Sequence, residues 1–151
     1  MSFMYPFKRK PIAKKSKRPN AKAKDRAWRM FSLYKRTYDC LMSTGTKDYG
    51  RCITCGAYKS IKDLDAGHFV PGRGNAVLFS EPGVNIQCDT CNRVHGGREL
   101  EYRKVMVARH GEEWVKNYEI LAKVPTKLYT SDFERIYTHY KQEYEKLTEG
   151  K

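Results

Sequence analysis

The chain has 151 residues and a formal net charge of +13, with 30 lysines and arginines against 17 acids. That length holds one domain with short tails and leaves little room for a second full-sized core. No segment approaches the ~18 consecutive apolar residues of a membrane span, and the N-terminus lacks the apolar stretch of a secretory signal. A cytoplasmic protein with a polyanionic partner is therefore expected, nucleic acid before an anionic membrane surface.

In chain order, residues 1–24 hold Lys8, Arg9, Lys10, Lys14, Lys15, Lys17, Arg18, Lys22 and Lys24, no acid, and three prolines. This composition predicts a disordered basic arm. Lys14, Lys15, Lys17 and Arg18 are its candidate phosphate contacts, which strengthen binding without choosing a sequence. A solubilising tail is the plainer alternative.

Residues 25–45 read as an amphipathic helix. Trp28, Phe31, Tyr34, Tyr38, Leu41 and Met42 recur mostly at steps of three and four, and Gly45 stands as the stop. The stripe reads as core packing, with Arg26, Arg29, Lys35 and Arg36 mostly on the other faces. Cys40 reads as a buried small hydrophobe or an idle thiol.

Residues 46–111 are turn-rich and hold the candidates for chemistry. Brief strands are predicted near Asp65–Val70 and Gly83–Gln87, joined by a loop from Pro71 to Pro82. A helix follows from about Asp89, carries Leu100, Val105 and Met106, and stops at Gly111. Residues 112–151 form a helical extension. One stripe runs through Trp114, Val115, Tyr118 and Leu121 to Pro125; another runs through Phe133, Ile136, Tyr137, Tyr140, Tyr144 and Leu147. Ser131 and Glu134 form a capping-box pattern before the second. The helices read as a scaffold or a dimer surface.

Five cysteines make a disulfide framework a poor fit. Four of them form two matched C-x2-C knuckles, Cys52–Cys55 and Cys88–Cys91, with 32 residues between them. Each knuckle turns two thiolates toward one ion, and two knuckles complete the tetrahedron that Zn²⁺ prefers at ~2.3 Å per sulfur. Four thiolates leave no open position, so this zinc is structural. A redox pair would not come in duplicate.

Between and beside the knuckles stand Asp65, His68, Asn85 and Asn92. An unperturbed imidazole titrates near ~6.5, which suits His68 to act as general base toward a water. Asn92 offers a neutral oxygen for Mg²⁺ or Mn²⁺, hard cations that keep most of their waters. Asn85 is suited to tying down the loop that fixes His68. Asp65 is either a second ligand or a residue that orients the site. A histidine packed beside a zinc knuckle remains the bland reading of His68. His95, one turn beyond Asn92, reads first as a surface residue. Arg73, Arg93, Arg98 and Arg103 are candidate phosphate contacts, or solvated surface charges.

The run Cys88-Asp89-Thr90-Cys91-Asn92 is similar to zinc-bound phage junction-resolving endonucleases, in which the asparagine after the last cysteine ligates Mg²⁺. Asp65-Ala66-Gly67-His68 resembles the D-R-G-H motif of secreted ββα-metal nucleases, in which the histidine is the base. The order His68, Asn85, Asn92 resembles the HNH nucleases. From Arg51 to about Gly111 the chain resembles the lambdoid phage NinG/Rap recombination endonucleases. Cys52-Ile53-Thr54-Cys55-Gly56, Asp65 to Phe69, Asn85 to Cys88, Cys91-Asn92 and Tyr102-Arg103 carry that likeness. In one respect the chain departs: Gly67 stands where many HNH enzymes place a ligating side chain.

The resemblance implies an α+β fold, a small zinc-stapled ββα-metal core flanked by helices. It implies a metal-dependent endonuclease acting on branched DNA in phage recombination, in the host cytoplasm. An HNH enzyme nicking ordinary duplex and a non-catalytic zinc-stabilised nucleic-acid-binding module are the alternatives. A homodimer is expected if two strands are cut symmetrically.

Overall fold

The computed structural model describes residues 18–72 and 74–149. Lys14, Lys15, Lys17 and Arg73, and most of the expected arm, lie outside the described residues. The elements in order are α1 (Pro19–Thr44), β1 (Tyr49–Arg51), β2 (Tyr58–Ser60), β3 (Leu64–His68), β4 (Val84–Cys88), α2 (Glu99–His110), α3 (Glu112–Ala122) and α4 (Thr130–Glu149). The fold is α+β, four helices around two small antiparallel hairpins, β1–β2 and β3–β4. Among the described residues no helix is long and apolar enough to cross a membrane.

Helix α1 starts at Pro19, so residues 19–24 are helical and the expected arm is shorter at its C-terminal end. Proline suits a first helical turn, where its missing N–H is not needed and its φ is already helical. At the other end Gly45 adopts φ 77° and its N–H bonds Leu41 O at 2.9 Å, the left-handed stop that glycine permits. Ala27, Phe31, Tyr34, Thr37 and Cys40 are buried, as an inward stripe requires, but Met42 is 68% exposed. Lys35, expected on an outer face, is buried and bonds Asp39 at 2.6 Å. Burial pushes the Asp39 carboxyl up, opposed by Lys35 and by the Ile86 N–H, which donates to its Oδ2 at 3.1 Å. This acid ties α1 to β4.

The strand pair β3–β4 lies within two residues of its expected place, with Gly67 opposite Asn85 and His68 opposite Val84. Every β4 residue is buried. Helices α1 and α4 pack together around Phe31, Tyr34, Val84 and Tyr140, with Phe31 edge-on to Tyr140 at 4.8 Å. A second cluster joins Phe69 and Val77 to Tyr102, Met106, Val115 and Tyr118 of α2 and α3. A third surrounds the cysteines with Leu64 and Ile86.

Two expectations fail locally, and one hairpin was unforeseen. The chain does not run as one helix from Asp89 to Gly111. A wide turn over Thr90–Val94 ends at Gly96 and Gly97, whose φ values of 60° and 91° re-aim the chain before α2 begins. Leu100 is consequently 75% exposed on α2, outside the core. At the start of α4 the capping carboxylate is Asp132, which accepts the Tyr129 N–H at 2.8 Å; that bond and Arg135 hold its carboxyl below the usual range. The β1–β2 hairpin was not expected at all, because three-residue strands carry too little alternation to register.

Candidate active-site cleft and four-cysteine site

The turn between β1 and β2 contains Cys52 and Cys55; β4 ends in Cys88, and Cys91 follows on the wide turn. All four sulfurs lie within 4.8 Å of one another. Cys55 Sγ and Cys88 Sγ stand 3.7 Å apart, close to the ~3.8 Å edge of a tetrahedron with ~2.3 Å zinc–sulfur bonds. The donor set and its spacing therefore fit one closed zinc site. Burial pushes the Cys55 and Cys88 thiols up, whereas against the same burial the Thr54 hydroxyl at 3.2 Å and backbone N–H groups hold the Cys52 thiol down. Cys40 lies in the same core cluster but outside the four-sulfur set, and burial raises its thiol to about 11. It is buried among apolar neighbours, as the reading of a small buried hydrophobe requires.

Beside this site a cleft of about 600 Å³ is lined by Trp28, Ser32 and Arg36 of α1, by Asp65, Ala66 and His68 of β3, by Pro71 and Gly72, and by Asn92, Arg93, Gly96 and Gly97. Asp65, His68 and Asn92 thus meet at one surface.

His68 ends β3 with its ring held from two sides. Its Nε2 is 3.1 Å from the Leu78 carbonyl. A carbonyl only accepts, so Nε2 carries the proton and Nδ1 is the basic nitrogen. Trp28 stacks on the ring, centroids 5.0 Å apart and planes 22° from parallel. The Asp65 carboxylate accepts from Asn92 Nδ2 at 3.0 Å, and from Arg93 Nε and Nη2, each at 3.0 Å. Because a carboxylate must take the amide N–H₂, Asn92 Oδ1 is the end left for other partners. Asp65 therefore orients Asn92 and Arg93, and Oδ1, which accepts one bond, keeps a lone pair for a further partner. Arg93, whose side chain is 69% exposed, also pairs with Asp89 at 3.2 Å, and these acids raise its guanidinium further.

Asn85 is buried and does not line the cleft. Its Nδ2 donates to Pro82 O and to Tyr102 Oη, both at 3.1 Å, while Tyr102 Oη donates to Gly67 O at 2.8 Å. Asn85 ties the loop end to β4 and, through Tyr102, to the backbone just before His68. Grouped with His68 and Asn92 in the sequence, it is held apart from them here, buried behind the strand and tying down the loop. Gly67 has a steric reason to lack a side chain, since a Cβ there would collide with the buried Gln87 amide. That amide donates to Gly97 O at 2.9 Å, fixing the chain after the wide turn.

The remaining arginines diverge from expectation. Arg103 joins α2 to α3, bonding Glu112 and Glu119 at 2.7 Å each, so its charge is already matched by carboxylates. Arg98 sits at φ 47° before α2 with its Nε buried and without a hydrogen-bond partner among the described residues. Neither lines the cleft. Arg36 does, braced by its own Nε on Ser32 O at 3.3 Å. His95 is exposed and outside the cleft lining. Sequence reasoning missed Trp28, Arg36 and Tyr102 as parts of the site. The first two belong to a helix whose pattern reads as core and surface, and Tyr102 stands out only as part of the family likeness, which gives it no role.

The family model described as Bacteriophage Lambda NinG protein matches residues 7–150. Protein ninG of Escherichia phage lambda is 33% identical over 69 residues, covering 45% of this chain and 33% of that protein. Protein ninG of Escherichia phage 933W is 33% identical over 69 residues, covering 45% of this chain and 34% of its own length. The match thus spans about a third of the length of these curated relatives. No solved structure matches the chain. Since the family model covers nearly the whole chain, from the basic N-terminal residues through the knuckles and the cleft to the end of α4, the protein belongs to the bacteriophage lambda NinG family.

Proposed function

We propose that this protein is a metal-dependent DNA endonuclease of the HNH, ββα-metal type, acting on branched DNA in phage recombination within the host cell. The observation that carries the reading is the convergence of His68, Asp65 and Asn92 on one polar cleft beside the four-cysteine site. An antiparallel hairpin whose first strand ends in the histidine and a following helical turn bearing the asparagine supply the scaffold such chemistry requires.

In this reading His68 Nδ1 takes a proton from an attacking water. The water oxygen bonds to phosphorus as the phosphorus–O3′ bond breaks, and the departing oxygen collects a proton from solvent. Asn92 Oδ1 would hold Mg²⁺ or Mn²⁺, which when bound supplies Lewis-acid stabilisation of charge on the phosphate and the leaving oxygen. Asp65 keeps the Asn92 amide turned the right way, and Arg93, paired with Asp65 and Asp89, holds that carboxylate in place. Trp28 and the Leu78 carbonyl hold the base in orientation and tautomer. Branched substrate is proposed from the family resemblance, and the cleft's chemistry serves any phosphodiester.

The test incubates the protein with Mg²⁺ or Mn²⁺ and labelled duplex, flap and four-way junction DNA, beside a His68→Ala variant. Loss of a general base costs about 100-fold or more in rate, so cleavage should fall at least that far while binding persists. Binding without cleavage under either metal would overturn the nuclease in favour of a zinc-stabilised binding module. Equal cutting of all three substrates would replace branched DNA by ordinary duplex.

A further inference from the structure

The β1–β2 hairpin carries a feature that the cleft does not use. Its register pairs Tyr49 with Ser60 and Arg51 with Tyr58, which sets Tyr49, Arg51 and Tyr58 on one face. Gly50, between them, faces the core, where a Cβ would press on Ile86 and Cys40. On the outer face Tyr49 is 44% and Tyr58 51% exposed. Their rings lie 5.2 Å apart and within 4° of parallel, and the Arg51 guanidinium stands 5.4 Å from the Tyr58 ring. Mutual stacking accounts for the pairing of the two rings. It does not account for spending two large aromatics on a solvent face when the four-cysteine site already anchors this hairpin from behind.

We propose that this face is a platform on which an unpaired base of the nucleic acid stacks. This deepens the reading above by naming a feature of the substrate, and it rests on nucleic acid being the ligand and not on hydrolysis. The surroundings favour that occupant. Arg51 shares the face of the rings, and Lys47 and Lys62 are exposed on the segments that flank the hairpin, against two exposed acids, Asp48 and Asp63, on a chain of net charge +13. Flat aromatic faces flanked by cations match a base and its phosphates, because every base offers a π-face and every nucleotide a charge. The bases of an intact duplex are already stacked, so the platform serves only nucleotides freed at a branch, a nick or a single strand.

The experiment uses the full chain without added divalent metal and compares a labelled mixed-sequence single strand with the corresponding blunt duplex. Three proteins are compared: wild type, Tyr49→Ala/Tyr58→Ala, and Tyr49→Phe/Tyr58→Phe, each checked for zinc content and helical signal. Loss of base stacking should weaken single-strand affinity about tenfold or more, leave duplex affinity within about twofold, and spare the phenylalanine pair, which keeps the rings. Wild-type single-strand affinity in the alanine pair overturns the platform. So does equal loss on both probes with zinc retained. If the alanine pair misfolds, ultraviolet crosslinking of wild type to a 5-bromouracil single strand decides: adducts on Tyr49 or Tyr58 support the platform, and adducts confined elsewhere overturn it. Duplex cleavage with Mg²⁺ in the same preparations separates the two readings. If cutting persists while the alanine pair binds single strands normally, the platform falls and the nuclease stands. If wild type never cuts, the nuclease falls and the platform is judged on binding.

Discussion

The His68 ring is fixed by its neighbours, one nitrogen against a carbonyl and one face against an indole, and Gly67 before it is as constrained as the histidine itself. The space a Cβ would need at Gly67 is filled by the Gln87 amide, which is anchored on Gly97 O and Thr54 Oγ1. Gly67→Ala should therefore destabilise the protein by about 1–3 kcal/mol, the usual cost of overpacking. Combined with Gln87→Ala, it should cost less than the two single changes added together, because the second substitution removes the obstruction. Urea midpoints of the four proteins in this cycle measure it; strict additivity would mean that Gln87 is not what excludes a side chain at position 67.

At the scale of elements, β3, β4 and α2 are joined by one hydroxyl. Tyr102 Oη gives its proton to Gly67 O at 2.8 Å and accepts from Asn85 at 3.1 Å, in a wholly buried position. Burial pushes this phenol well above its ordinary range, so it stays a donor at every working pH. Tyr102→Phe keeps the ring packed and leaves the Gly67 carbonyl without its side-chain donor and the Asn85 amide with Pro82 O alone. Its expected cost is about 1–3 kcal/mol, read by chemical denaturation. If the nuclease reading holds, cleavage should also slow with little change in DNA affinity, since the strand that presents His68 loses a brace. Unchanged stability and rate would show that α2 is mere backing.

Across the whole molecule, two hairpins too small to be stable alone are held by the helices around them and by one cluster of sulfurs. Three-residue strands such as β1 and β2 bury little apolar surface, and the four cysteines connect them to β4 and to the turn that bears Asn92. We expect one zinc per chain by elemental analysis, and a fall in melting temperature when a strong chelator removes it. Cys55→Ser should lose the metal. Cys40→Ser should keep it, at the modest cost of a polar atom in an apolar site. Full zinc occupancy in Cys55→Ser, or loss in Cys40→Ser, would contradict the assignment of ligands.

Residue spacing alone determined what depends on local geometry. Two knuckles of equal pitch encode a tetrahedral donor set, periodic apolar residues encode which helix faces turn inward, and a histidine closing one short strand before a glycine-rich loop encodes the hairpin that carries it. The order of helices, the β3–β4 pair, the four sulfurs and the loop-tying part of Asn85 were legible for that reason. Only the tertiary structure decided what depends on elements distant in the chain. It laid α1 across β3 so that Trp28 covers His68, matched Asp65 to Asn92 and Arg93, gave Arg103 to two glutamates, and folded back the β1–β2 hairpin. Spacing encodes which neighbours along one element share a side, whereas the partner each side finds depends on how separate elements cross, and that crossing is set by the packing of the whole core.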